Sequence, residues 1–96
     1  MSSYILSPEA LEDLREIGAW IARGSPDRAI SFVEELRARF RRLASMPMVG
    51  RPRGEMGAAI RSVPHGAYVV FYRPTAAGID VVRIVHGRRD MSSGFP

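Results

Sequence analysis

Apolar residues recur at helical spacing in two adjacent segments of the chain's first half. Ser7-Pro8-Glu9 combines a capping hydroxyl, a first-turn proline and an acid, so it predicts a helix that ends near Arg23-Gly24. Ser25-Pro26-Asp27 repeats this signal, and Met46-Pro47 ends the second helix. The apolar stripes are Leu11, Leu14, Ile17 and Ile21, then Ala29, Phe32, Val33, Leu36, Phe40 and Leu43. The short junction predicts a helical hairpin with both stripes facing one core, and the charged positions, Asp13 among them, are expected outside.

β-Branched and aromatic residues dominate the second half. The glycine- and proline-rich segment Met48 to Gly57 predicts a loop, and Ala59–Val63, Ala67–Arg73 and Ile79–His86 predict three strands. Their connections are too short for crossovers, so they form an antiparallel meander. Tyr4–Leu6 adds a short strand at the start. The prediction is one α+β domain of order β-α-α-β-β-β, an antiparallel sheet with the N-terminal helical hairpin packed on one face.

Length and composition narrow the class of function. The 96-residue chain suits a single domain, residues 1–96, and its 46% apolar and 25% charged residues are ordinary for a globular protein. Cysteine is absent, and the two histidines have no clustered acids beside them, so we expect no metal and no cofactor. Without a signal pattern or an apolar run that could cross a bilayer, a cytoplasmic protein with no membrane partner is expected.

Every basic residue is an arginine, fourteen in all, and the formal net charge is +4. Guanidinium binds carboxylates and phosphates in a forked, two-bond geometry. The charge therefore predicts an acidic partner, either a nucleic acid or an acidic protein segment, and does not choose between them.

Four stretches, in this order and at these spacings, carry a family resemblance: YILSPEALEDLREIGAWI, FVEELRARFRRLASMPMVGRP, IRSVPHGAYVVFYRP and IDVVRIVHGRRD. Together they resemble the ParE toxins of the RelE/ParE superfamily of bacterial toxin–antitoxin systems. The resemblance implies one of two activities. Relatives similar to ParE poison DNA gyrase and are held inactive by an acidic antitoxin, ParD, in a hetero-oligomeric complex. Relatives similar to RelE are ribosome-dependent mRNA endonucleases.

The residues favour the first activity over the second. Cleavage of RNA needs a proton acceptor, a proton donor and cations around the phosphate. RelE-like relatives use lysines, a central-strand arginine and a late tyrosine or histidine; here lysine is absent, the strand position is Val69, and the late aromatic is Phe95. An enzyme would have to use His86, Arg88 and Arg61. The other interpretation of His86 is a strand-end histidine bonded to nearby backbone, and we predict no catalytic residues.

Arg83 is the first of the residues expected to bind the antitoxin. It alternates with Val81 and Val85 and so is expected on their face of the sheet, where an unpaired arginine is costly to bury. A carboxylate must meet it. That carboxylate belongs either to this chain, with Asp80 and Glu55 as candidates, or to the acidic tail of a partner.

We predict that Arg61, Arg83 and Trp20 contact the acidic C-terminal segment of a ParD-like antitoxin. Trp20 falls just off the centre of the first stripe, and its position alone favours partial burial under the hairpin over a partner contact. At the end of the last strand, His86, Arg88 and Arg89 are expected to contact the target, since the resemblance implicates the C-terminal segment of ParE toxins in action on gyrase. The alternative for that segment is a solvated chain end.

Overall fold

The computed structural model describes residues 2–88, which form two helices and a five-stranded sheet. In chain order the elements are β1 Ser3–Leu6, α1 Pro8–Ala22, α2 Pro26–Ser45, β2 Arg51–Pro52, β3 Arg61–His65, β4 Tyr68–Thr75 and β5 Gly78–His86, with a 3-10 turn at Gly54–Met56. The predicted α+β class and the helical hairpin are confirmed.

Both helices begin at the predicted caps. The Ser7 hydroxyl accepts a hydrogen bond from the Ala10 N–H (2.9 Å), and the Ser25 hydroxyl accepts one from the Arg28 N–H (3.1 Å). These bonds satisfy N–H groups that the first turn of a helix otherwise leaves unpaired. Neither helix of residues 2–88 is both long and apolar enough to span a bilayer.

The sheet has the order β1-β5-β4-β3-β2. The three predicted strands form the expected antiparallel meander, because two-residue turns join β3 to β4 and β4 to β5. β1 returns to the sheet beside β5, with which it pairs in parallel, so that Tyr4 lies opposite Ile79. The sheet is therefore antiparallel except at this one edge.

Two details of the second half differ from the prediction. The segment expected to be a loop contains β2, where Arg51 pairs with Ser62 of β3. β3 itself begins at Arg61, two residues later than expected. The reason is local: Ala59 has a φ of 60°, which lies outside the β region, and the chain straightens only after it.

The main core lies between the helical hairpin and one sheet face, as predicted. Its buried members include Leu14, Leu36, Phe40, Leu43, Val70, Tyr72, Val81 and Ile84. Leu11 and Ile21 of the predicted stripe are only half-buried. A smaller cluster of Met56, Ile60, Phe71 and Val85 covers part of the other face, below the 3-10 turn.

A β-bulge breaks the alternation of β5. Phe71 pairs with Arg83, whereas the next residue of β4 pairs with Val81, so Val82 is an extra residue on β5. Val81 consequently lies in the main core and Val85 in the smaller cluster. The prediction that Arg83 shares one face with both valines is wrong, because a strict two-residue period does not survive the inserted residue.

Candidate functional site

Arg83 has a carboxylate partner within the chain. Its Nε donates to Oδ2 of Asp13 (2.7 Å) and its Nη2 donates to Oδ1 (3.0 Å), which is the forked geometry expected of arginine. The hydrogen bond to Asp13 raises the pKa of Arg83 above its usual value. Neither Asp80 nor Glu55, the two candidates from the sequence, is the partner. The in-chain ion pair is thus observed, through a residue that no local pattern indicated.

Asp13 was expected on the outer face of α1, and this expectation is wrong. Asp13 is only 8% exposed. Its carboxylate accepts hydrogen bonds from Arg83 and also from the backbone N–H of Ile84 (2.9 Å). β1 pairs with β5 only as far as Val81. Beyond that point the edge of β5 needs another acceptor, and the carboxylate of Asp13 takes the place of a neighbouring strand.

Arg61 is held by backbone carbonyls after α2. Its Nη1 donates to the Gly50 carbonyl (2.7 Å) and the Met48 carbonyl (3.1 Å). The hydroxyl of Tyr72 lies beside this contact, and burial raises the pKa of that hydroxyl. Arg61 forms no ion pair with a carboxylate of residues 2–88, so its charge can still attract an acidic group.

Trp20 is 63% exposed, so the favoured expectation of partial burial under the hairpin is wrong. The guanidinium of Arg23 lies over its ring, 5.0 Å from the ring centre. Trp20 also lines a pocket of about 190 Å³ together with Glu16, Asp13 and His86. The structure therefore brings together two predicted contact residues from opposite ends of the sequence.

Of the three candidates for RNA cleavage, Arg88 lies beside His86, with its backbone N–H bonded to the histidine ring, but Arg61 lies apart. His86 pairs in register with Tyr68, whereas Arg61 pairs with Tyr72, four residues further along β4. At about 3.3 Å per residue, this puts them about 13 Å apart along the sheet.

The surroundings of His86 hold charges of both signs, because Asp13 is paired with Arg83 and Arg88 adjoins the histidine. The described residues that line its pocket include two carboxylates and no arginine. Its Nδ1 accepts a hydrogen bond from the backbone N–H of Arg88 (3.2 Å), so it is a strand-end histidine bonded to nearby backbone. Arg89 lies outside the described residues. Among residues 2–88, no three His, Asp or Glu side chains come together in a way that could hold a metal.

A groove along the outer side of the helical hairpin was not predicted from the sequence. Its volume is about 670 Å³, and residues of α1 from Leu11 to Ala19 and of α2 from Ala29 to Arg37 line it. Gly18 leaves room between the helices, with space for a methyl group 3.6 Å from Val33. Ile30 lies in the same groove and is 61% exposed. The sequence signal that could have indicated this groove was Ile30, a large apolar residue outside the core stripe, together with the small residues Gly18 and Ala19 on the other helix.

His65 makes the stability of the fold depend on pH. Its ring lies 5.5 Å from the ring of Phe32, and burial first, then the charge of Arg39, lowers its pKa. The folded protein therefore binds the proton less readily than the unfolded chain, whose histidine pKa is about 6.5. This contribution to stability is complete above that value and is lost as the pH falls towards the lowered pKa of the folded state.

We accordingly expect a lower unfolding midpoint at about pH 5.5 than at about pH 7.5. His65→Gln should flatten the dependence, while the exposed His86 provides the matched control in His86→Gln. Urea unfolding at the two pH values measures how strongly the midpoint of each variant depends on pH. A His65→Gln protein as sensitive to pH as the unchanged chain would contradict the assignment.

Comparisons with known proteins agree with the resemblance seen in the sequence. The pattern of the ParE toxin of the type II toxin–antitoxin system, parDE, matches residues 4–91. A solved structure described as the chromosomal ParDE TA system from P. aeruginosa has the same fold, with a TM-score of 0.72 over 90% of this chain and 96% of that chain, at 19% identity. No curated protein matches the chain. Because the family pattern extends over residues 4–91, including both helices and all but the first residue of the described sheet, this chain belongs to the ParE toxins of type II toxin–antitoxin systems.

Proposed function

We propose that this toxin acts by binding DNA gyrase and stopping its supercoiling reaction, without itself breaking a bond, and that a ParD-like antitoxin neutralises it. The separation of His86 from Arg61 supports the non-enzymatic part. A phosphate beside His86 would have the neighbouring Arg88 but not Arg61 as a cation, because His86 and Arg61 lie about 13 Å apart along the sheet. The family supports the gyrase target.

The groove of the helical hairpin is the proposed anchor site for the antitoxin. An amphipathic helix lays its apolar face into such a groove, and Ile30 and Leu11 would meet it there. Arg15 and Arg37 also line the groove and would pair with acidic side chains beside the helix's apolar face. These contacts match an antitoxin whose C-terminal segment is both acidic and partly apolar.

Trp20, Arg61 and Arg83 remain predicted antitoxin contacts. Trp20 is the most accessible of the three, since its ring is largely exposed. An acidic group that reached Arg83 would share the guanidinium with Asp13, because two of the three nitrogens are already bonded. Arg61 would likewise be shared with carbonyls of the loop after α2.

The pocket shared by Trp20 and His86 suggests how neutralisation works. His86 is a predicted target contact, and both side chains line the same cavity of about 190 Å³. An antitoxin segment that packs on Trp20 therefore also covers His86. The toxin would be inactive in the complex because the antitoxin covers His86, a residue with which the toxin would contact its target.

The decisive experiment uses purified toxin, purified gyrase and plasmid DNA, with no ribosome present. We expect inhibited supercoiling, relieved by the antitoxin. The RelE-like activity is tested beside it, with transcripts on translating ribosomes. Cleavage of those transcripts that disappears in His86→Ala would replace the proposal with an mRNA endonuclease.

Removal of residues 87–96 is expected to abolish toxicity and to leave antitoxin binding largely intact. The cut spares β5, which ends at His86, and every described residue of the helical groove. It removes Arg88 and Arg89, two of the predicted target contacts. Growth assays and antitoxin titration measure the two effects on a protein shown to be folded by its unfolding transition. A truncated chain that still arrests growth would refute the role of this segment.

A further inference from the structure

The segment that follows α2, residues 46–51, presents apolar side chains to solvent; we call it the methionine loop. Met46, Met48 and Val49 are 64%, 63% and 62% exposed. Six large hydrophobic residues of the described chain are this exposed, and three of them lie within residues 46–49. Such concentration on the surface of a small protein marks an interaction site more often than a plain connection.

The backbone of the methionine loop is held from inside. The hydroxyl of Tyr72 donates to the Pro47 carbonyl (2.8 Å) and accepts from the Gly50 N–H (2.8 Å). Arg61 donates to two further carbonyls of the loop, those of Met48 and Gly50. Tyr72 is completely buried, and a side chain at Gly50 would collide with its ring. The polar groups thus face inward while the apolar side chains face outward in a fixed arrangement, which lowers the entropy cost of binding.

A concave feature adjoins the loop. Met48, Pro52, Ile60, Arg61 and Pro74 line most of a pocket of about 340 Å³. Its lining is mainly apolar, with Arg61 as the charged member. A pocket beside exposed methionines suits a partner that inserts one apolar side chain, the arrangement that usually carries most of the binding energy at protein interfaces.

The charge around the loop identifies the chemistry of that partner. Residues 36–75 contain eight arginines and a single acid, whereas residues 2–35 contain three arginines and seven acids. The single acid, Glu55, is already bonded to Arg53. Arg41, Arg42 and Arg51 are exposed and form no ion pair with a carboxylate of residues 2–88. The methionine loop therefore lies in a positive field that favours an acidic partner.

We propose that the methionine loop and its pocket form a docking surface for the toxin's target protein, whose contacting segment places an apolar side chain between carboxylates. This inference rests on the proposed function, in which the toxin works by binding. A protein fits better than a nucleic acid, because the exposed side chains of the loop are aliphatic and offer no ring on which a base could stack. Arg61 is the one residue of this pocket that is also a predicted antitoxin contact. The antitoxin groove itself is separate, since α2 rises about 14 Å between Arg37, where the groove ends, and Met46.

Met48→Glu tests the proposal, with Ile5→Glu as its matched control. Both residues are similarly exposed, so neither change should unfold the protein, and Ile5 lies on β1 away from the loop. We expect Met48→Glu to need at least about thirty-fold more toxin for half-inhibition of supercoiling. Its affinity for the antitoxin should remain within about threefold of the unchanged chain, and Ile5→Glu should behave like the unchanged chain in both assays.

Several outcomes would overturn the proposal. A folded Met48→Glu protein that inhibits normally removes the loop from the target interface. One that inhibits normally but loses the antitoxin assigns the loop to the antitoxin. If duplex DNA alone binds the unchanged toxin and Met48→Glu abolishes that binding, the occupant is a nucleic acid.

Failure of the gyrase proposal would be seen separately, because the unchanged toxin would then not inhibit supercoiling. Growth arrest in cells provides the readout in that case, whatever the target is. Loss of arrest in Met48→Glu, with antitoxin binding retained, would support the docking surface. Retained arrest would contradict it.

Discussion

Asp13→Ala is expected to lower the free energy of unfolding by about 3 kcal/mol, because it removes one partner of a largely buried ion pair. The guanidinium of Arg83, whose side chain is 23% exposed, would lose both of its hydrogen bonds to the carboxylate. The N–H of Ile84 would lose its acceptor at an edge of the sheet that β1 does not reach. Domains of this size are stable by only about 5–15 kcal/mol, so the loss would be a large fraction of the total.

Two further substitutions in α1 separate the contribution of the charge of Asp13 from that of its hydrogen bond with the Ile84 N–H. Asp13→Asn keeps an oxygen that can accept from the Ile84 N–H but removes the charge, so its effect should be intermediate. Glu12→Ala is the control, since that side chain is 61% exposed and 3.9 Å from its arginine partner. It should change stability by less than about 0.5 kcal/mol. Urea unfolding followed by circular dichroism measures all three. Equal stabilities of Asp13→Ala and Glu12→Ala would contradict the role given to Asp13.

Arg83→Ala then tests a binding role for the other member of the pair. This variant keeps the hydrogen bond between Asp13 and Ile84 but leaves the buried carboxylate without its cation, so its folding is checked by the same unfolding measurement before affinities are compared. If Arg83 contacts the acidic segment of the antitoxin, the affinity of the folded variant must fall. An unchanged affinity would leave Arg83 with a purely structural role.

Gly18→Phe is expected to weaken antitoxin binding by at least about a hundredfold, a loss typical of the most important residues in an interface. Gly18 lies between the helices on the floor of the groove, where only its missing side chain leaves the space open. A phenylalanine ring would fill the volume that an antitoxin helix needs. Glycine is a poor helix former, so the change favours the helix itself, and the thermal unfolding of the variant shows whether the hairpin accommodates the ring beside Val33.

Gly18→Ala is the matched control for the groove. Its methyl group would lie 3.6 Å from Val33, an ordinary contact, and leaves the groove nearly open. It should raise the free energy of unfolding by roughly 0.5–1 kcal/mol through helix propensity, with nearly unchanged antitoxin affinity. Calorimetric titration and thermal unfolding of both variants are the measurements. A Gly18→Phe protein that binds the antitoxin like the unchanged chain would show that the antitoxin anchors elsewhere.

The elements of this fold were predictable because each depends on a few neighbouring residues. Ser7 and Ser25 cap helices through bonds to N–H groups three positions away. The period of Leu14, Leu36 and Phe40 fixes the faces that meet, since burial of these side chains is the dominant favourable term in folding. Where a local exception intervened, as with the positive φ of Ala59 or the bulge at Val82, the strand predictions failed.

The functional surfaces depend on contacts between distant parts of the chain. Asp13 lies seventy positions from Arg83, and nothing near either residue indicates the other. Trp20 and His86 share a pocket only because α1 packs beside the end of β5.

The sequence by itself therefore determined the helices, the meander, the arginine-rich charge and the toxin family. Each of these depends on neighbouring residues or on the order of short stretches along the chain. The tertiary structure decided that Arg83 is paired internally, that Trp20 is open to a partner, and that the methionine loop is fixed by a buried tyrosine. The reason is physical: propensity and periodicity act over a few residues. The partner of a charge or a hydroxyl is set by which distant segments the packed core brings within hydrogen-bonding distance.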